Sequence, residues 1–208
     1  MSDATPFYRL SQWVLRTGFR LLQGIRVEGL ENVPRQGPCI IVCNHISWLD
    51  PPFMGGGLRH RQVHFMAKTE LFDRPVLGEV INALGAFPVD RGQADRRSLR
   101  RALDYLSQGR IVCIFPEGTR GDGNDMASWH VGMAMLASHA RVDIIPAAVK
   151  NTRQLLEERH LKQPKQPMWL RFGAPIQVNS IQSKGRVRLQ ELQDRSQQAV
   201  ADLLASME

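Results

Sequence analysis

Two short polar blocks in this chain contain the residue types that acid–base chemistry uses. The first is Asn44-His45-Ile46-Ser47-Trp48-Leu49-Asp50, directly after the apolar run Cys39–Cys43. A histidine at the end of a strand can reach solvent and titrate near neutral pH. An aspartate can hold its second ring nitrogen, which fixes the tautomer and stabilises the imidazolium. A five-residue offset does not put two side chains on one helical face, so His45 and Asp50 meet only if the chain turns between them. Pro51-Pro52 fits such a break or a new helix start. The plainer alternative is a loop histidine beside a capping aspartate.

The second block is Phe115-Pro116-Glu117-Gly118-Thr119-Arg120, after the apolar run that begins at Ile111. Gly118 permits tight backbone geometry. Arg120 suits a bidentate grip on phosphate, and Glu117 can accept from a hydroxyl or orient the arginine. A polar turn with a surface ion pair would look the same. Two further runs are Gly85-Ala86-Phe87-Pro88-Val89-Asp90-Arg91, which ends in an arginine, and Ile144-Ile145-Pro146-Ala147-Ala148-Val149. A proline inside an apolar run suggests an edge strand or a bulge.

In this order the four runs resemble the blocks of the glycerophospholipid acyltransferase family, of which the PlsC-type 1-acylglycerol-3-phosphate (lysophosphatidate) acyltransferases are the best-known members. The resemblance extends from about Val27 to Val149 and includes the lead-in Val27–Pro34. Asn-His-x-x-x-x-Asp and Phe-Pro-Glu-Gly-Thr-Arg are specific when they occur together. The resemblance implies His45 as general base and Asp50 as its orienting partner. It implies Arg91 on the acceptor phosphate, and Glu117 and Arg120 positioning the acceptor's glycerol and phosphate. Gly118 and Thr119 would shape that loop, and Ile145-Pro146 would line the acyl site. One departure stands out. Where many members carry an aromatic residue, Lys, any residue and Gly, this chain reads Trp129-His130-Val131-Gly132. His130 is a weaker phosphate partner when neutral, and Gly121–Asp125 is acidic and glycine-rich. A different acceptor head group is therefore open.

The elements that must hold these residues follow from periodicity. Strands are expected at Cys39–Cys43, Val63–Ala67, Ala86–Val89, Ile111–Phe115, Ile144–Val149 and Met168–Phe172. Helices are expected at Pro6–Ile25, Pro75–Leu84, Asp95–Gln108, Ser128–His139 and Arg186–Met207. Continuous apolar strands alternating with helices imply an α/β fold with a largely parallel or mixed central sheet covered by helices. Residues 1–26 form an N-terminal amphipathic helix and 27–208 a single α/β domain. On that helix Phe7, Leu10, Val14, Leu21 and Ile25 share one side, Arg9, Arg16 and Arg20 another, and Trp13 lies between. This pattern fits a helix lying in a lipid interface, and equally one packed on the core with a solvated arginine face.

Bulk properties bound the rest. The chain has 208 residues, 43% hydrophobic and 23% charged, with a net charge of +7. A basic surface suits phosphate-rich partners. No apolar run approaches the roughly 20 residues that span a bilayer, and the opening lacks the order of a signal peptide. The expectation is a cytoplasmic protein, peripheral on the inner face of the cell membrane. Three cysteines without CxxC spacing argue against disulfides or zinc. His60 and His64 are four apart, but no third ligand follows at a useful distance. No Gly-x-Ser-x-Gly, P-loop or Gly-x-Gly-x-x-Gly occurs, which disfavours a serine nucleophile, nucleotide hydrolysis and dinucleotide redox.

The expected activity is transfer of a fatty acyl group from acyl-CoA or acyl-ACP to the hydroxyl of a lysophosphatidate-like lipid, with no cofactor and no metal. The exposed-looking Arg96, Arg97, Arg100 and Arg101 suit an acidic carrier, the phosphates of coenzyme A, or anionic lipid. One alternative is acylation of another lysolipid or an amino-acid-based lipid. Another is a non-catalytic protein that binds anionic lipid or nucleic acid, although no nucleic-acid recognition motif is present.

Overall fold

The computed structural model describes residues 4–90, 95–118, 120–121, 129–156 and 166–207. In chain order the elements are α1 Pro6–Leu22, β1 Ile25–Glu28, β2 Cys39–Cys43, α2 Asp50–Gly57, β3 Val63–Lys68, α3 Pro75–Ala83, β4 Ala86–Val89, α4 Arg96–Ser107, β5 Ile111–Ile114, α5 Gly132–Ala140, β6 Ile144–Lys150, β7 Met168–Phe172 and α6 Gly185–Ala205. These strands make one seven-stranded sheet in the order β1-β7-β6-β2-β5-β3-β4. β6, β2, β5, β3 and β4 run parallel; β7 is antiparallel to β6, and β1 pairs parallel with β7.

β2 is Cys-Ile-Ile-Val-Cys and every residue in it is buried, as a central strand covered on both faces requires. Ile40 and Val42 join Val112, Ala148, Leu106, Leu136 and Val200 in the layer under α4, α5 and α6. Ile41 and Cys43 join Cys113, Ala147, Phe53 and Phe19 in the layer under α1 and α2. Helix α2 approaches the sheet closely because Gly57 has no Cβ; one there would collide with Leu170.

Helix α1 docks by the face that carries Tyr8, Gln12 and Phe19. The Tyr8 hydroxyl accepts from Val63 N–H at 3.2 Å. Gln12 Nε2 donates to the carbonyls of Gly55 at 2.8 Å and Leu58 at 2.7 Å, at the end of α2. Phe19 meets Phe53 edge-on, with ring centroids 5.7 Å apart. The apolar stripe, which in sequence suits a lipid interface and the core equally, points outward: Leu21 is 81% exposed, Phe7, Leu10 and Val14 are exposed with it, and so is the adjacent Trp13 at 65%. The helix ends at Leu22 rather than Ile25, since Gly24 turns the chain at φ 81° and Ile25 pairs with Met168 in β1.

Other boundaries also move. Helix α5 begins at Gly132, with Trp129 and His130 before it in irregular backbone; Ser128, where the sequence places its start, lies outside the described residues. Helix α6 spans Gly185–Ala205 rather than Arg186–Met207. Pro146 is not on an edge: β6 lies between β7 and β2. It is tolerated because the pairing slips by one residue between Ala147↔Phe172 and Ile144↔Ile176, which puts an extra residue of the neighbouring chain segment opposite the missing N–H. Its carbonyl still accepts from Gly173 N–H at 2.7 Å.

Candidate active site

The two sequence blocks meet because β2 and β5 are neighbours. Their pairing runs from Cys39↔Ile111 to Val42↔Ile114, and the same register continued past the strand ends sets His45 opposite Glu117. His45 N–H donates to Glu117 Oε1 at 3.2 Å, and Gly121 N–H donates to the His45 carbonyl at 2.8 Å. Asn44 extends the other side of β2: its Oδ1 accepts from Val149 N–H at 2.9 Å and its Nδ2 donates to the Val149 carbonyl at 3.0 Å.

After His45 the chain turns and restarts as α2 at Asp50. Pro51 and Pro52 occupy the first turn of that helix, where no N–H partner is needed. The turn brings Asp50 back to the histidine. Asp50 Oδ2 lies 2.8 Å from His45 Nδ1, and also accepts from the N–H groups of Ile46 at 2.7 Å and Ser47 at 2.8 Å. Asp50 Oδ1 accepts from Thr152 Oγ1 at 2.6 Å. Asp50 is 0% exposed and His45 8%. In a neutral imidazole, a carboxylate that accepts from Nδ1–H leaves Nε2 as the ring acceptor. The imidazole also stacks on Phe115, with centroids 4.4 Å apart. Its plane is thus held from the side and from one edge.

The other expected site residues divide by location. Glu117 is buried and engages His45, while Arg120 is exposed with its guanidinium 4.2 Å above the Trp48 ring. Gly118 adopts φ 68°, and its absent Cβ would come within 3.1 Å of His130 Nε2. His130 N–H donates to the Pro116 carbonyl at 3.0 Å and the side chain is exposed, so the imidazole lies over the Glu117–Gly118 loop. Arg91, Thr119 and residues 122–125 lie outside the described residues. Thr152 carried no signal in sequence, and Asn44 had none beyond its place in the first block. Both act through the adjacency of β2 and β6, which spacing alone does not reveal.

A cavity of about 280 Å³ opens beside this turn. Trp48 and Pro51, from the His45 turn and the start of α2, line it together with Tyr8, Leu15, Phe65 and Ile81. The wall is almost wholly apolar, built by α1, α2, β3 and α3. Ile145 and Pro146 are not part of it; they sit in the middle of the sheet, in β6.

A cysteine nucleophile is excluded by burial. Cys43 is two residues from His45, but desolvation pushes its thiol well above the ordinary range, and the neighbouring Cys113 thiol raises it further. His64 is occupied elsewhere, stacking on Tyr105 at 4.0 Å with Nδ1 3.1 Å from the Gly85 carbonyl.

The sequence profile described as Acyltransferase matches residues 24–150, more than half of the chain. This chain belongs to the acyltransferase family. The matched segment runs from the start of β1 to the end of β6 and contains both blocks of the site. Among acyltransferases of known activity, a 1-acyl-sn-glycerol-3-phosphate acyltransferase of Bacillus subtilis is 28% identical over 94% of this chain and 96% of its own length. A lyso-ornithine lipid O-acyltransferase of Pseudomonas aeruginosa is 34% identical over 73% of this chain, which spans 58% of that relative. The crystal structure of the 1-acyl-sn-glycerophosphate acyltransferase PlsC from Thermotoga maritima superposes with a TM-score of 0.74 at 26% identity, covering 97% of this chain and 81% of that one. The mixed α/β sheet with its N-terminal helix is therefore the fold of that acyltransferase.

Proposed function

We propose that this acyltransferase moves a fatty acyl group from a thioester to the free hydroxyl of a lysophosphatidate-type lipid, with His45 as general base. The observation that carries the reading is the buried His45–Asp50 pair, in a turn whose neighbouring residues Trp48 and Pro51 line an apolar cavity. In the first step His45 Nε2 takes the proton of the acceptor hydroxyl as its oxygen attacks the thioester carbonyl. Asp50 holds Nδ1–H and stabilises the imidazolium. In the second step the C–S bond breaks and the imidazolium returns the proton to the leaving thiolate. A positioned base of this kind contributes about 10²–10⁴-fold.

The cavity between α1 and α3 suits the acyl chain, because its wall offers carbon and almost no hydrogen-bonding groups. Arg120, with its guanidinium 4.2 Å over the Trp48 ring that lines the cavity, is the charge this reading assigns to the acceptor phosphate. Arg91 and Thr119 belong to the same reading by their place in the two blocks. Glu117 acts first on the protein itself, by fixing the backbone of His45.

The lipid itself brings the protein to a membrane in this account. The outward stripe of α1 and exposed Val76 and Val80 of α3 belong to two helices that line the cavity with other residues. Burying them in the headgroup region would open the cavity toward lipid, on the inner face of the cell membrane. Among the described residues no helix is long and apolar enough to cross a membrane. Exposed Arg96, Arg97, Arg100 and Arg101 of α4 offer charge to the donor, either coenzyme A phosphates or an acidic carrier protein.

A second acceptor class has specific support. The lyso-ornithine relative matches at 34% identity, and His130 over Gly118 brings no fixed positive charge to the loop. A panel of lysophosphatidate and lyso-ornithine lipid, each with acyl-CoA and acyl carrier protein, separates the two. Consumption of lysophosphatidate supports the first reading; turnover of lyso-ornithine lipid alone replaces it with the second.

A further inference from the structure

We infer that Thr152 is a positioning residue that fixes the Asp50 carboxylate and, through it, the plane of His45; the inference rests on His45 acting as the base. Among the described residues, the carboxylate of Asp50 meets four hydrogen-bond donors. Three reach Oδ2 from within its own turn: His45 Nδ1, Ile46 N–H and Ser47 N–H. The fourth reaches Oδ1 from Thr152 Oγ1, 102 residues away in sequence. Both residues are 0% exposed, so no solvent takes the place of that hydroxyl.

The geometry explains why the distant bond matters. The terminal torsion of aspartate is broad and roughly two-fold, so it does not set the carboxylate plane by itself. Both oxygens turn together about that torsion, so a donor on Oδ1 resists the same rotation that would carry Oδ2 away from Nδ1. The threonine hydroxyl has one proton to give, and the 2.6 Å contact directs it to Oδ1.

The chain places Thr152 with care. β6 lies parallel to β2 as far as Cys43↔Ala147, and the Asn44 amide continues the pairing by clamping both backbone groups of Val149. Two residues later Asn151 adopts φ 65°, a left-handed conformation that Asn tolerates better than most residues. Its Nδ2 donates to the Pro167 carbonyl at 3.1 Å, and its own carbonyl accepts from Gln23 Nε2 at 2.9 Å. The reversal starts the short 3-10 turn Thr152–Leu155 and points its first side chain back under α2. The residue beside the catalytic histidine in sequence, Asn44, thus sets the strand that delivers the support for its partner.

Among the described residues, the ionisable groups beside the pair include Glu117 on the His45 N–H and the thiols of Cys43 and Cys113, which burial keeps neutral. Thr152 is fully buried against Asp50, so its loss should slow the chemical step and leave acceptor binding alone. The test uses the full-length protein with acyl-CoA and lysophosphatidate. Thr152→Val keeps the branch and removes the donor; kcat should fall about tenfold, the scale expected for a misplaced catalytic group, with acceptor KM within about twofold. Thr152→Ser restores the hydroxyl and should recover at least about a third of the wild-type kcat. If Thr152→Val does not fold, Thr152→Cys replaces it, and its weak donor should leave kcat well below that of the serine variant. Wild-type kcat in the valine or cysteine variant, or a serine variant as slow as either, overturns the inference. His45→Ala run in parallel separates the two ideas. An inactive His45→Ala beside a fully active Thr152→Val ends this inference alone, and an active His45→Ala ends the base reading beneath it.

Discussion

At the scale of the residue, the site is a turn closed by one carboxylate. His45 and Asp50 are five apart, a spacing that occurs by chance, and what makes the pair is the 46–49 turn whose two N–H groups Asp50 also binds. Asp50→Asn keeps the shape but presents a neutral amide to Nδ1, so the imidazole loses its tautomer preference and the charge that stabilises its protonated form. We expect kcat to fall by about 10³-fold or more with the fold intact, as loss of the orienting carboxylate does in other histidine-based sites; stopped acyl-transfer assays with circular dichroism check both halves. The cysteines give a pH prediction. Burial raises the thiols of Cys43 and Cys113 and pushes Cys39 up to about 12. The native protein should be inert to a thiol reagent at pH 8, and three thiols should react on denaturation. The sign follows from linkage: thiols of the unfolded chain ionise as pH passes their ordinary value near 9 while the buried ones stay protonated, so stability falls above that pH. The two blocks were legible in sequence because each follows an apolar run. Thr152 was not, because nothing local marks a threonine whose partner lies 102 residues away.

At the scale of the element, α1 carries two faces with different roles. Periodicity found the more apolar one, Phe7, Leu10, Val14 and Leu21, and that face points outward. The docked face is mixed: Tyr8 and Gln12 hold by hydrogen bonds and Phe19 by ring packing. Apolar periodicity overlooks a face held by polar anchors. The two faces predict opposite outcomes. Phe19→Ala should cost about 3–4 kcal/mol of stability, in the range for deleting a buried aromatic, as read by denaturant unfolding. Trp13→Asp with Leu21→Asp should leave the unfolding midpoint unchanged and abolish sedimentation with anionic vesicles. Equal loss of stability in both would mean that the outer face packs against the protein in solution. β6 gives the complementary lesson. Pro146 signalled an interruption in pairing, but the extra residue that accommodates it belongs to the chain segment opposite, which the sequence of β6 does not contain.

At the scale of the whole molecule, the sheet order does the assembling. Placing β2 between β5 and β6 brings three sequence-distant segments to one end of the sheet: His45 from β2, Glu117 and Arg120 from beyond β5, and Thr152 from beyond β6. Strand identity was legible from apolar runs; strand order was not, because adjacent strands share no local signature. The reversed pair β1 and β7 extends the sheet past β6 and leaves this arrangement undisturbed. The net charge of +7 acts at the same scale. Vesicle binding should weaken as salt rises from low to physiological strength, since the Debye length shortens to about 8 Å. Residual binding at high salt should then report the apolar stripe of α1. The central claim is that the His45 imidazole, oriented by Asp50, takes the proton of a lysolipid hydroxyl. The most direct measurement compares kcat/KM of wild type and His45→Ala for acyl transfer from acyl-CoA to lysophosphatidate. The expected result is an active wild type and a folded variant at least about 10²-fold slower. A folded variant that keeps more than about a tenth of the wild-type rate would contradict it.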